Sequence, residues 1–157
     1  MIKKIVPIVI FLAAIAGVIV SAYALAAHYD SKLYGVCSIN ETFDCSSVNS
    51  SVYADIFGIP VAGIGVAGYL LLAVVYTLFL LKKKIVIVQV AVTMAFGALI
   101  FSLYLSGIEM FVLQKWCLLC IISQISILII FTLLLLEYYR FNKFLVEAQK
   151  NSKENFD

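Results

Sequence analysis

The sequence predicts an all-α membrane protein: a bundle of four transmembrane helices, both termini cytoplasmic, with a large outer loop between the first helix and the second. Three observations predict it. Hydrophobic residues make up 64% of the 157 and charged residues only 13%, with a mean hydropathy of +1.11; a soluble domain is about half apolar and a quarter charged. Four stretches carry no charge and are long enough to cross a bilayer, which takes roughly 20 apolar residues per helix. The basic residues, finally, gather at one side of those stretches. By length the chain is a single domain over residues 1–157.

The first span runs from Ile5 to Ala27. Met1-Ile2-Lys3-Lys4 before it and Ala24-Leu25-Ala26 near its end resemble a secretory signal with its cleavage site. The apolar run is longer than the usual core of about 7–15 residues, so an uncleaved helix is expected. The second span runs from Pro60 to Leu81, with Pro60 in the first turn, where its missing N–H costs nothing. Gly58, Gly63, Gly65 and Gly68 make this region rich in small residues, which suits close helix packing. The third span is Ile85 to Ser106 and the fourth Trp116 to Leu136. In the bilayer core a helix satisfies every backbone polar group internally.

Lys3, Lys4, Lys82, Lys83, Lys84, Arg140, Lys143, Lys150 and Lys153 flank the spans on one side, against Lys32 and Lys115 on the other. The excess marks the cytoplasmic side. The outer loop, residues 28–59, and the shorter segment Gly107 to Lys115 then face outward, and residues 137–157 form a cytoplasmic tail, read as a fraying extension of the last helix. The outer loop is dense in Asn, Ser, Thr and Asp, so it reads as short of regular structure. One short amphipathic turn is expected over Val52 to Phe57. No repeat or low-complexity tract is present.

All four cysteines, Cys37, Cys45, Cys117 and Cys120, fall on the outer side. Cysteines on an oxidising face commonly form structural disulfides, and a Cys37–Cys45 bridge would brace the loop. Cys117-Leu118-Leu119-Cys120 is different. A CxxC at a helix start places its first sulfur where free N–H groups and the helix dipole favour thiolate, which makes a disulfide there exchangeable. A closed zinc site normally uses two close-spaced pairs, but seven residues separate Cys37 from Cys45, so no metal is expected. Haem attachment needs histidine after the CxxC, where Ile121 stands. Two dithiol pairs on one face permit a relay by thiol–disulfide exchange, with the loop swinging Cys45 toward Cys117. Electrons reaching Cys120 need an exit, and within a bilayer a quinone held between helices is the natural acceptor.

This order of elements resembles the vitamin K epoxide reductase family. The matching pieces are Cys37, then Cys45-Ser46-Ser47-Val48-Asn49-Ser50-Ser51, then Phe57-Gly58-Ile59-Pro60-Val61-Ala62 through Gly68-Tyr69, then Trp116-Cys117-Leu118-Leu119-Cys120. The DsbB-type quinone-linked oxidases carry the two pairs in the reverse order. The resemblance implies a four-helix bundle around a ubiquinone- or menaquinone-type quinone. It implies that Cys37 exchanges with a partner's dithiol, that Cys45 passes electrons to Cys117, and that Cys120 lies against the quinone. Ser51 matches the family's serine near the active cysteines, and Phe57 and Gln124 join Ser51 and Cys120 as residues expected around the quinone.

The chain departs from the vertebrate members at two positions. Gln124 stands where they place a tyrosine and Val61 where they place an asparagine, so the groups that would bind and protonate vitamin K epoxide are unmatched. Gln124 can still donate to a quinone carbonyl, or form an interhelical hydrogen bond. Some prokaryotic members carry a fused thioredoxin-like domain, and this chain reaches Asp157 without one. The expected electron donor is therefore a separate thioredoxin-fold, DsbA-like protein, and the expected location a prokaryotic plasma membrane with the site on its extracytoplasmic face. Tyr23, Tyr29, Tyr34, Tyr69, Tyr104 and Trp116 read as an aromatic belt, and His28 as an interfacial side chain. Asn40-Glu41-Thr42 and Asn49-Ser50-Ser51 are glycosylation sequons.

The leading expectation is a membrane thiol oxidase that supports disulfide formation outside the cytoplasm by reducing a quinone. One alternative runs the same relay as a vitamin K epoxide or quinone reductase. Another is a non-enzymatic membrane subunit stapled by structural disulfides, whose cysteines would resist mild reductant.

Overall fold

The computed structural model describes residues 2–30, 33 and 44–154. Its elements are α1 (Ile2–Tyr29), a short α2 (Cys45–Asn49), strands β1 (Asp55–Ile56) and β2 (Ile59–Pro60), α3 (Val61–Lys82), α4 (Ile85–Ile108) continued by a π-helical turn (Glu109–Leu113), and α5 (Leu118–Glu154). The four long helices are each long and apolar enough to cross a membrane. They close a ring in which α1 packs on α3 and α5, and α4 packs on α5 and α3.

The core follows from small residues placed opposite large ones. Ala13, Ala14, Ala91 and Ala95 are buried and let the helices approach, while Leu72, Ile127, Ile130 and Leu134 fill the space between them. Near the Lys82–Lys84 end the rings of Phe11, Tyr76, Phe79 and Phe141 stack in sequence, with centroids 5.5–6.1 Å apart. Lys83 ends α3 in the left-handed conformation, and its ammonium lies 5.3 Å from the Phe79 ring centre.

One contact is unusually close. A Cβ on Gly17 would clash with the ring of Tyr69, whose hydroxyl is pinned 2.7 Å from the Ser123 carbonyl oxygen. Overpacking of this kind costs about 1–3 kcal/mol, against about 1 kcal/mol gained in helix propensity. Gly17→Ala is therefore expected to lower the thermal unfolding midpoint in detergent. Gly68→Ala, with nothing within 4 Å of the added Cβ, is expected to leave that midpoint nearly unchanged.

Three local expectations are corrected. The third helix does not stop at Ser106, because nothing from Gly107 onward breaks it. The segment expected as a loop over Gly107 to Lys115 is helical as far as Leu113, and a left-handed Gln114 (φ 52°) then reverses the chain. From Asp44 onward the outer loop is more ordered than its composition suggests, since Asp44 caps α2 by accepting hydrogen bonds from the backbone N–H groups of Ser46 and Ser47. Over Val52 to Phe57 there is no amphipathic turn. β1 and β2 pair instead, and Phe57 and Gly58 at the tip both take positive φ (52° and 80°), the backbone of the two-residue turn that matches strand twist.

α3 begins one residue after Pro60, with the Val61 N–H donating to the Ala54 carbonyl at 2.8 Å. α5 runs without a break through the expected tail as far as Glu154.

Candidate functional site

The site forms where the end of α1, the start of α3, the π-helical turn after α4 and the start of α5 converge beneath α2. Two hydrogen bonds tie α2 to α1, and a charged contact reaches β1. Asn49 Nδ2 donates to the Ala24 carbonyl oxygen at 2.7 Å, and His28 with Nδ1 protonated donates to the Asn49 carbonyl oxygen at 3.1 Å. His28 Nε2 also lies 3.7 Å from an Asp55 carboxylate oxygen. His28 is thus a clamp between helix and loop rather than a side chain resting at the interface.

A backbone contact sets the register between the loop and the CxxC. The Asp44 N–H donates to the Trp116 carbonyl at 3.2 Å, which brings the next residue of each segment, Cys45 and Cys117, side by side. Their sulfurs are 3.4 Å apart, and both residues are buried. Cys45 is engaged in a disulfide, whereas Cys117 and Cys120 are free thiols. Cys37 lies outside the described residues.

Cys117 stands just before α5, and its carbonyl accepts the first helical hydrogen bond, from the Ile121 N–H at 3.1 Å. A hydrogen bond with the Cys120 thiol, aided by the free N–H groups of Cys120 and Leu119, holds the Cys117 thiol below its ordinary pKa. Burial and the nearby Glu109 carboxyl oppose that shift without reversing it. The first cysteine of the CxxC is therefore the better nucleophile, as expected from its place at a helix start.

Cys120, one turn into α5, lines a cavity of about 400 Å³ between the four helices. Val20, Ile64, Leu72, Phe101, Leu105 and Ile127 make its wall largely apolar. The size suits a small aromatic head group, since ligand cavities typically hold about 300–1,000 Å³. Tyr69 adds polarity at one wall, its hydroxyl bonded to Ser123 through both the carbonyl and Oγ. The missing side chain at Gly68 leaves room in the same cavity. An apolar slot with a thiol and a few hydroxyls at its edge fits a quinone ring.

Ser51 lines this cavity, and its hydroxyl donates to the Val48 carbonyl at 2.7 Å, securing the end of α2. Gln124 accepts a hydrogen bond from Ser106 at 2.7 Å, an interhelical link between α5 and α4. Gln124 is not among the residues that line the cavity, and neither is Phe57. The turn at the hairpin tip leaves the Phe57 side chain fully exposed.

One residue of the site escaped the sequence reading. Glu109, 3% exposed, accepts a hydrogen bond from the Cys117 N–H at 3.1 Å and lines the cavity together with Cys120. The signal was available: a lone carboxylate eight residues before Cys117, at the end of an apolar helix. An ionisable group in such a place marks function by default. The expectation of a solvated loop over residues 107–115 hid it.

The sequence model of the vitamin K epoxide reductase family matches residues 8–135, from the first helix to the fourth. Among curated proteins no match to the chain was found.

Proposed function

The chain belongs to the vitamin K epoxide reductase family and is an integral membrane oxidoreductase; from this we propose that it is a thiol oxidase linked to the quinone pool. A separate thioredoxin-fold protein on the extracytoplasmic face reduces a Cys37–Cys45 disulfide in the outer loop. Cys45 then attacks the Cys117–Cys120 disulfide at Cys117, forming a mixed disulfide. Cys120 is released as the thiol facing the cavity, and Cys37 resolves the mixed disulfide by attacking Cys45. The observation that carries this reading is the 3.4 Å approach of the Cys45 and Cys117 sulfurs, with Cys120 on the cavity wall behind them.

A quinone bound in the cavity supplies the electron sink, taking two electrons and two protons as Cys117 and Cys120 return to a disulfide. The residues of the chain do the rest. Tyr69 and Ser123 offer polar groups to a ring oxygen, and the apolar wall excludes water from the sulfurs.

The relay is tested by removing the two outer members of the chain of thiols. In the variant carrying both Cys37→Ser and Cys120→Ser, mild oxidation is expected to join Cys45 to Cys117, which peptide mapping without reductant detects. If the two remaining thiols stay free under oxidant, the transfer step between loop and helix is wrong.

A further inference from the structure

Resting on that reading, we propose that Glu109 is the base that removes the Cys120 thiol proton and carries it toward the cavity during quinone reduction. The relay leaves Cys120 protonated, beside the largely apolar cavity. Returning Cys117 and Cys120 to a disulfide requires that this proton depart with the electrons. The geometry provides the route: the Cys117 N–H holds the Glu109 carboxyl at 3.1 Å, beside the CxxC, and Glu109 and Cys120 line the same cavity. The Cys120 S–H bond breaks, its electron pair stays on sulfur, and an O–H bond forms on Glu109. The proton is then given up into the cavity, where the quinone is the acceptor of both electrons and protons.

The π-helical turn is the device that aims this carboxyl. Glu109 opens the turn, and its carbonyl accepts from the N–H groups of both Gln114 and Lys115. The extra residue of a π turn re-aims a side chain, and such turns recur at functional sites. The Cys117 N–H then fixes the carboxyl from the other side at 3.1 Å. The other titratable or charged groups on the elements around Glu109 are Asp44, which is committed to the α2 cap, Cys45, Lys115, Cys117 and Cys120, with Tyr69 in the cavity wall. Among these Glu109 is the carboxyl bonded to the CxxC backbone and lining the cavity with Cys120.

The test uses Glu109→Gln, which keeps an acceptor for the Cys117 N–H but cannot take a proton, beside Glu109→Asp. Quinone reduction by the full-length protein is expected to fall about 100-fold in the Gln variant, the scale of a lost general base, and to recover partly with Asp. Iodoacetamide capture of Cys120 is expected to speed up several-fold in the Gln variant, because no carboxylate opposes charge on the neighbouring sulfur. Slower turnover with a more reactive thiol is a split that a merely structural role would not produce.

Infrared difference spectra of the wild type, oxidised and reduced with a dithiol buffer and no quinone, supply a measurement independent of how the variants fold. A carboxyl band is expected to shift as the neighbouring Cys120 thiol is lost, and its absence would overturn the proposal. Undiminished turnover in the Gln variant would also overturn it. So would an Asp variant no better than Gln with unchanged thiol capture. Wild-type protein that consumes no quinone would instead sink the oxidase reading, leaving the infrared result to be judged separately.

Discussion

Replacing Cys120 with Ser is expected to end quinone reduction while leaving electron uptake by the loop cysteines intact. Cys120 is the sulfur of the CxxC that lines the cavity, whereas Cys117 faces Cys45. Serine fills nearly the same space but neither pairs with Cys117 nor gives up two electrons. Turnover, followed by quinone absorbance with a reduced thioredoxin-fold protein as donor, should drop on the order of 10³-fold or more, the scale at which removal of an essential nucleophile acts. With the chain of transfers cut at its last member, the Cys37–Cys45 pair should stay reduced in the presence of the donor, which alkylation and peptide mapping detect. Turnover near the wild-type rate would place the electron exit at another sulfur. Wild-type protein that never consumes quinone, with all its cysteines locked against reductant, would favour a membrane subunit held by structural disulfides.

Replacing Cys37 with Ser is expected to separate two kinds of reductant. A folded thioredoxin-fold donor needs an exposed disulfide in the outer loop, and Cys45, 1% exposed, is beyond its reach. Turnover with that donor should fall to background in the variant. A small thiol reductant can attack the Cys117–Cys120 disulfide without the loop and should restore turnover toward the wild-type level. Equal loss with both reductants would mean that Cys37 is not the point at which electrons are taken up. It would indicate instead that the loop needs its own disulfide to hold Cys45 against Cys117.

These two experiments bear on residues whose chemistry was legible without coordinates. Thiols, their spacing and their position beside apolar spans announce redox work, because few other structures place exchangeable sulfur pairs at a membrane boundary. Ser51 was legible in the same way and does line the cavity. Gln124 was legible as a polar side chain inside a helix, but two readings were open for it. The structure has it bonded to Ser106, because a partner on α4 lies within reach. Phe57 could be read only through a motif, and the backbone of a tight turn aims its ring outward.

Glu109 was hidden for another reason. Charge near the end of a span normally signals solvent. Only the continued helix and its π turn bring the carboxyl inward, and a period shift of one residue leaves no trace in composition.

By itself the sequence determined the class and the number and approximate limits of the spanning helices, and it singled out the cysteines as the candidate redox groups. Those properties rest on local quantities: the length of uncharged runs, the cost of an unsatisfied backbone in lipid, and the identity of the reactive atoms. Cys45 was expected to meet Cys117; what the tertiary structure supplied is the means, one backbone hydrogen bond between segments about 70 residues apart. It also decided that Tyr69 lies over Gly17 and that the Glu109 carboxyl lines the cavity together with Cys120. Each is a meeting of distant residues, set by helix packing and by the register of loop against helix, which no local pattern encodes.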